Sequence, residues 1–358
     1  MDVLKTVIDE VNGEVPVQIR ISVDEYVDDG MKFEEVKTVC HVAKEMGVAS
    51  ISLSAGCYDA VEYAIQPMFI PQGFIIPFAK ELKAEIDIPV IVAARLNDAH
   101  LIENVVENDE ADIVAIGRGL IADPLLVDKI KAHDYGNIRY CIACNQGCID
   151  RVLGGMPAHC MVNPVAGEEL TCKLKGKSDK KVVIIGAGPA GMEAAITAAQ
   201  RGMKVTVYEK GELGGKFKAL STPPEKDTFT MFDRYLVSQM KKYNIDYPIA
   251  YDFENDYRRK RKLKKKNTKI IDAFCKTVED AGYNTVIYSD ANYFRDFLYT
   301  KKLAKYGLWV ARWTYDKNDF RDYDLENVFI WQYSDKGRMK GCNYPLDLNA
   351  SFICKNDN

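Results

Sequence analysis

Four cysteines in the run CIACNQGCIDRVLGGMPAHC constrain this chain more than any other feature. Cys141, Cys144 and Cys148 are spaced C-x2-C-x3-C, and Cys160 follows after eleven intervening residues. Thiolates this close in sequence meet on one inorganic core only if the backbone wraps around it. The small or polar residues between them, Ala143, Asn145 and Gly147, permit that wrap. Structural zinc sites more often pair two C-x2-4-C knuckles across a longer loop. The spacing therefore favours a [4Fe-4S] cluster, with zinc and unliganded thiols as the alternatives.

The remaining composition limits what surrounds this loop. At 358 residues, 47% hydrophobic and 28% charged, the chain has room for two or three domains with their own cores. A net charge of -4 gives no overall pull toward nucleic acid. The opening MDVLKTVIDEVNGEV reads as an acidic amphipathic helix with neither a basic n-region nor an apolar h-region, and no window approaches eighteen apolar residues. A soluble, cytoplasmic protein without membrane partners is expected. Of ten cysteines, the six outside the quartet (Cys40, Cys57, Cys172, Cys275, Cys342, Cys354) are scattered without a disulfide framework, which fits a reducing compartment.

Before the cysteines, apolar runs alternate with helical patterns. Strands are predicted at 15–22, 48–54, 88–94 and 111–117, each followed by a turn and a helix. Four successive βα units imply parallel strands and read as part of a (β/α)8 barrel. The C-terminal strand ends, where such barrels place function, carry Arg20, the Ser54–Tyr58 turn, Arg95, and Gly117 with Arg118. An arginine there is a candidate anion holder, and Gly117 would let a phosphate approach backbone N–H groups. Taken singly, each arginine is as readily a surface residue.

Together the segments IRIS, SAGCYD, QPMF, PVIVAARLND, AIGRGLIADP, IRYCIACNQGC and CMVNP resemble the second half of the flavin barrel in the Old Yellow Enzyme family. The closest branch is the iron-sulfur flavoenzymes of the 2,4-dienoyl-CoA reductase, 2-enoate reductase and NADH:flavin oxidoreductase type. The resemblance implies that Arg20 faces the pyrimidine edge of FMN, that Arg95, Gly117 and Arg118 hold its phosphate, and that the four cysteines bind [4Fe-4S]. It places Tyr58 toward the substrate. Ala94 stands where the family usually has glycine, so a looser phosphate fit is expected. The barrel strands that bring most flavin-ring contacts and the principal proton donor have no counterpart here, so weak turnover is expected.

A second motif follows. The strand KVVIIG runs into Gly186-Ala187-Gly188-Pro189-Ala190-Gly191, then a helix, then the strand KVTVYEK ending near Glu209. This is the full βαβ context of a dinucleotide fingerprint: Gly186 for the turn, Gly188 for approach of a pyrophosphate, Gly191 for helix packing, Glu209 for a ribose. A glycine-rich turn without ligand is the alternative. In the reductase family this motif binds FAD, and ELGGKF with Gly215 resembles its continuation. The likeness runs out near Ile245, leaving a partial FAD site and no nicotinamide-binding domain.

From Tyr247 the composition shifts toward Tyr, Trp, Asp and Lys. PIAYDFEND places Asp252 and Glu254 two apart at a strand end, hence on one side. Paired carboxylates in a pocket push their pKa values apart, as glycosidic acid catalysis requires; two solvated acids are the alternative. DAGYNTVIYSDANYF, LWVARW and FIWQYSDKGRMKGCNYPLDLN resemble the C-terminal half of family 25 glycoside hydrolases, the lysozymes. That likeness implies Glu254 as general acid, Asp252 as its charge-stabilising neighbour, Asp347 as a further carboxylate, and Trp309, Trp313, Trp331 and Tyr333 as a sugar groove. Arg258 to Lys266 holds eight basic residues in nine, read as a solvated face or, secondarily, as attraction to anionic cell-wall polymer.

The chain thus reads as α/β throughout: a partial (β/α)8 barrel over 1–135, a [4Fe-4S] segment over 136–175, a partial Rossmann-like βαβ unit over 178–245, and a second partial α/β barrel over 246–358. Its expected activity is reduction of an activated C=C bond in an enoate or enoyl substrate, using NAD(P)H, FAD, [4Fe-4S] and FMN. Peptidoglycan cleavage is the alternative, and a recombined reading frame without efficient activity the third. Open partial barrels would fold alone, pair with another copy in a homo-oligomer, or expose strand edges.

Overall fold

The structure, a computed structural model, describes residues 1–172, 174, 176–209, 211–254, 263–281, 283–313, 325, 327–337 and 346–351. The chain divides into two units, Met1–Lys173 with Leu220–Tyr235, and Leu174–Ala219 with Leu236–Asn358. Each is mixed α/β with parallel strands.

In the first unit, β1 (Gln18–Ser22), β2 (Ser50–Ser54), β3 (Val90–Val92) and β4 (Ile113–Val114) form one sheet in sequential order, all parallel. The connecting helices bury stripes at helical spacing: Val36, Cys40 and Ala43 on Phe33–Glu45, Ile76, Ala79 and Leu82 on Ile76–Glu85, and Ala99, Ile102 and Val105 on Ala99–Glu107. They pack against Ile51, Leu53, Val90 and Val92 in one core, which Leu4 and Ile8 of the N-terminal helix Asp2–Val11 join. Asp98 starts the third of these helices by accepting the Leu101 N–H at 3.0 Å. Each strand is shorter than its predicted run. The residues left over at the C-terminal ends become the loops that carry Arg95 and Gly117.

In the second unit, β5 (Lys181–Ile185) and β6 (Lys204–Tyr208) are parallel and joined by the helix Pro189–Gln200. A further sheet holds β7 (Ile249–Asp252), β8 (Thr285–Asp290), β9 (Leu308–Ala311), β10 (Val328–Gly337) and β11 (Leu346–Ser351), in the order β11-β10-β9-β8-β7. Only β11 runs antiparallel to its neighbour. The two sheets meet edge to edge through bridges Thr206↔Asp246 and Glu209↔Ile249, with the Val207 N–H donating to the Asp246 carbonyl at 2.7 Å. On one face, Val183, Ile185 and Tyr208 pack with Ala250, Val286, Tyr288, Trp309, Ala311 and Ile330. On the other, Ile287, Leu308 and Val310 pack with Ile271 and Cys275 of helix Lys264–Asp280 and Phe294 of helix Ala291–Phe297.

This packing corrects the expected sugar groove. Trp309 and Trp331 are each only 4% exposed. Their indole N–H groups donate to Asn349 Oδ1 at 3.1 Å and to the Arg312 carbonyl at 2.9 Å. Tyr333 is half-buried with its ring 5.6 Å from Trp331, and Trp313 alone stands out, 63% exposed. An apolar sheet face must be filled, and indoles bring the largest apolar surface available to fill it. Of the basic run, 258–262 lies outside the described residues; Lys264 to Lys266 open the helix Lys264–Asp280. Among the described residues no helix is long and apolar enough to cross a membrane.

Candidate functional site

The C-terminal strand ends of the first unit enclose a cavity of about 360 Å³. Arg20, Gln66, Ala94, Arg95, Asn97, Gly117, Arg118 and Ile149 are among its lining residues. Arg95 leaves β3 with φ of 50°, a left-handed conformation that turns the chain sharply. Its side chain is 7% exposed. Nη1 donates to the Met68 carbonyl at 2.8 Å and to the Ile70 carbonyl, whereas Nε and Nη2 are buried without a hydrogen-bond partner. Burial, and next the Arg118 charge, lower the Arg95 pKa, while Asp227 acts the other way. Arg95 thus lines, with Arg20 and Arg118, a cavity whose three guanidinium groups give it the charge to complement an anion, while two of its own donors lie buried behind the wall.

Arg20 projects from β1 and is exposed, and Gly117 has open space where a Cβ would stand. Arg118 is half-buried; its Nη1 donates to the Gln66 carbonyl at 2.6 Å and to Asn145 Oδ1 at 2.5 Å. Ala94 packs into the core while bordering the cavity, so the extra methyl is absorbed behind the loop. Tyr58 is fully exposed in the turn after β2 and is not among the lining residues.

Beside this cavity, Cys141, Cys144, Cys148 and Cys160 line one small space together with Arg118, Asn145 and Gly147. The wrap depends on left-handed backbone at Ala143 (φ 51°) and Asn145 (φ 60°), then a π-turn over Gln146–Asp150 that carries Cys148. Gly147 is obligatory there. A Cβ would lie 2.9 Å from the His159 carbonyl oxygen and 3.1 Å from Cys160 Cα, and the His159 N–H donates to the Gly147 carbonyl at 2.6 Å. That contact brings the distant fourth cysteine to the other three. Burial pushes the Cys141 thiol up to about 11, against the Ala143 N–H and Arg118, and also raises Cys160. Among the described residues no three His, Cys, Asp or Glu side chains converge tightly enough to hold one metal ion as they stand. The donor set, four thiols with no carboxylate or imidazole in the lining, suits a thiolate-bound cluster.

The glycine motif opens the helix Pro189–Gln200. Gly186 has φ of 97° and its N–H donates to the Tyr208 carbonyl at 2.7 Å. A Cβ on Gly191 would sit 1.9 Å from the Gly186 carbonyl oxygen, whereas Gly188 faces open space. Gly215 lies against Gly188, and the Gly214 N–H donates to the Ala187 carbonyl at 2.8 Å, closing a second glycine turn over the first. Glu209 accepts from the Ala187 N–H at 2.7 Å and the Gly211 N–H at 2.8 Å. It therefore braces the loop, with lone pairs left for a ribose.

At the end of β7, Phe253 is buried and its carbonyl accepts the Ser289 hydroxyl at 2.6 Å, while Asp252 and Glu254 are both exposed. Asp347 lies on β11; its side chain is outside the described residues. Sequence reasoning passed over Asn97 and Gln66, which stand within the RLND and QPMF segments, and gave Asn145 only a part in the cysteine wrap.

Residues 1–137 match the NADH:flavin oxidoreductase / NADH oxidase family, residues 181–257 an FAD binding domain, and residues 220–342 the glycosyl hydrolases family 25. The NADH oxidase of Thermoanaerobacter brockii is 37% identical over 250 residues, 69% of this chain and 38% of that protein. The cinnamate reductase of Clostridium sporogenes is 35% identical over 240 residues, 63% of this chain and 36% of that protein. The chain thus spans under two fifths of these relatives' lengths. A solved 2-naphthoyl-CoA reductase shares the fold at TM-score 0.64 and 22% identity, over 98% of this chain and 59% of that one. Over successive stretches the chain is accordingly similar to the NADH:flavin oxidoreductase / NADH oxidase family, to an FAD binding domain and to the glycosyl hydrolases family 25, the pattern of a composite.

Proposed function

We propose that the chain serves a flavin-dependent, iron-sulfur NAD(P)H oxidoreductase acting on activated C=C bonds of enoate or enoyl compounds. The observation that carries the reading is one cavity at the C-terminal strand ends lined by Arg20, Arg95 and Arg118, with Gly117 open beside them. The names of similar proteins, cinnamate reductase and bilirubin reductase among them, support the substrate class. In this reading Arg95 and Arg118 hold the FMN phosphate, Arg20 the flavin edge, and the quartet a [4Fe-4S] cluster. Gly186, Gly188, Gly191, Glu209 and Gly215 receive FAD. Bound flavin and cluster supply hydride and single-electron transfer. The chain's own residues bind, orient and desolvate: the guanidinium groups of Arg95 and Arg118 fix the phosphate, and Gly188 admits the pyrophosphate to the helix end. Tyr58 at the rim is assigned to the substrate side. A cytoplasmic setting and pairing between copies belong to the same reading, the latter because β1 and β4 are the edges of their sheet.

Anaerobic purification followed by visible absorbance and iron, sulfide and zinc analysis tests it. Flavin and cluster bands are expected, with iron and sulfide falling in Cys144→Ser. A colourless protein containing zinc and no sulfide would refute the cluster. The second reading, muramidase activity, rests on Asp252 and Glu254 standing on one side of the β7 end. Their exposure and the burial of Trp309 and Trp331 make it the weaker reading.

A further inference from the structure

We propose that Arg118 and Asn145 couple the arginine cavity to the cysteine quartet, so that flavin-phosphate binding and cluster binding favour one another. The inference rests on the cofactor reading above and deepens it. Arg118 lines both the cavity and the cysteine space. From its position at the start of helix Arg118–Ala122 its Nη1 grips two things at once, the Gln66 carbonyl and Asn145 Oδ1. Asn145 returns the contact by donating from Nδ2 to the Ile65 carbonyl at 3.1 Å. Ile65 and Gln66 themselves line the cavity. The segment between Cys144 and Cys148 is therefore sewn to the cavity wall through one asparagine. A second stitch runs from Asn97, another lining residue, whose Nδ2 donates to the Cys141 carbonyl at 3.4 Å.

A guanidinium carries five N–H donors in one rigid plane, so Arg118 can keep Asn145 on Nη1 while presenting its other donors to an anion. An anion that fixes the plane of that group also fixes Asn145. Asn145 in turn holds the left-handed turn (φ 60°) that orients Cys144 and Cys148. Ordering the cysteine loop around a cluster fixes the same contacts from the other side. By linkage, each ligand must tighten the other by the same factor. Arg118 and Asn145 are positioning residues in this scheme, because their effect on the cluster is exerted through the loop.

The test uses the full chain in cluster-loaded and chelator-stripped forms, with FMN as probe and flavin fluorescence quenching as readout. FMN should bind the loaded form more tightly, by roughly tenfold, within the usual span of such couplings. FMN should raise, by the same factor, the free chelator concentration at which half the iron is lost at equilibrium. Asn145→Gly tolerates the positive φ without strain and should lower the affinity ratio toward one, the Asn97 contact remaining. Asn145→Asp keeps the acceptor for Arg118 but loses the donor to Ile65, and should restore the ratio in part. If Asn145→Gly does not fold, Arg118→Lys, which keeps the charge but loses the fork, should lower the ratio instead. A ratio of one in the wild type, or an unchanged ratio in the variants, overturns the coupling alone. A wild type that binds no FMN or no iron overturns the cofactor reading and the coupling with it.

Discussion

Replacing Arg95 with methionine separates what the guanidinium does for the fold from what it does for a ligand. The side chain makes hydrogen bonds to the Met68 and Ile70 carbonyls and buries Nε and Nη2 with none. Losing the two made bonds costs about 1 kcal/mol each, and removing two desolvated donors returns about 1–3 kcal/mol each. On these figures the protein without flavin is left about 0–4 kcal/mol more stable. Ligand binding should change in the opposite sense. If the guanidinium holds a phosphate in the cavity, two charge-assisted bonds at about 1.5–3 kcal/mol each disappear. FMN affinity then falls by about two to four decades, at 1.4 kcal/mol per decade. Flavin fluorescence titration measures the affinity and urea unfolding without flavin supplies the control. An Arg95→Met protein at least as stable as the wild type that binds FMN as tightly would refute the reasoning, since the guanidinium would then hold no anion.

Gly191→Ala puts a methyl 1.9 Å from the Gly186 carbonyl oxygen and should destabilise the second unit by about 1–3 kcal/mol in denaturant unfolding. Gly188→Ala meets nothing within 4 Å, so it should fold normally and lose only FAD binding. Trp309→Ala should cost about 3–5 kcal/mol as a core deletion. Glu254→Gln should leave an already low cell-wall clearing rate unchanged; strong clearing that this change abolishes would make the hydrolase reading primary. Asp272 pairs with Lys305 Nζ at 2.8 Å and accepts the Tyr306 hydroxyl at 2.7 Å, and these two contacts, Lys305 foremost, depress its pKa. Its contribution is present above the unfolded aspartate value of about 3.9 and is lost as pH falls through the lower folded value. Being half-exposed, it is worth at most about 1 kcal/mol, and the urea midpoint of Asp272→Asn should fall less steeply below about pH 4.

The sequence by itself determined whatever depends on near neighbours along the chain. Alternating apolar runs and helical stripes specify β1 to β4 with their connecting helices, because those patterns follow from local geometry and the need to bury one face. The C-x2-C-x3-C spacing and Gly147 specify a cysteine wrap, and Gly186, Gly188 and Gly191 a turn into a helix, for the same local reasons. Only tertiary structure decided the rest. Trp309 and Trp331 read as groove aromatics, but what a strand residue faces depends on which other strands supply cover, here Val183, Ile185 and Tyr208 from the βαβ unit. The edge pairing of Val207 with Asp246 joins two sheets that no periodicity links. Arg118 and Asn145 lie 27 positions apart, and Arg95 and Met68 the same distance. Hydrogen bonds between side chains and distant segments carry no sequence period, so they become visible only when strand order has placed the loops side by side.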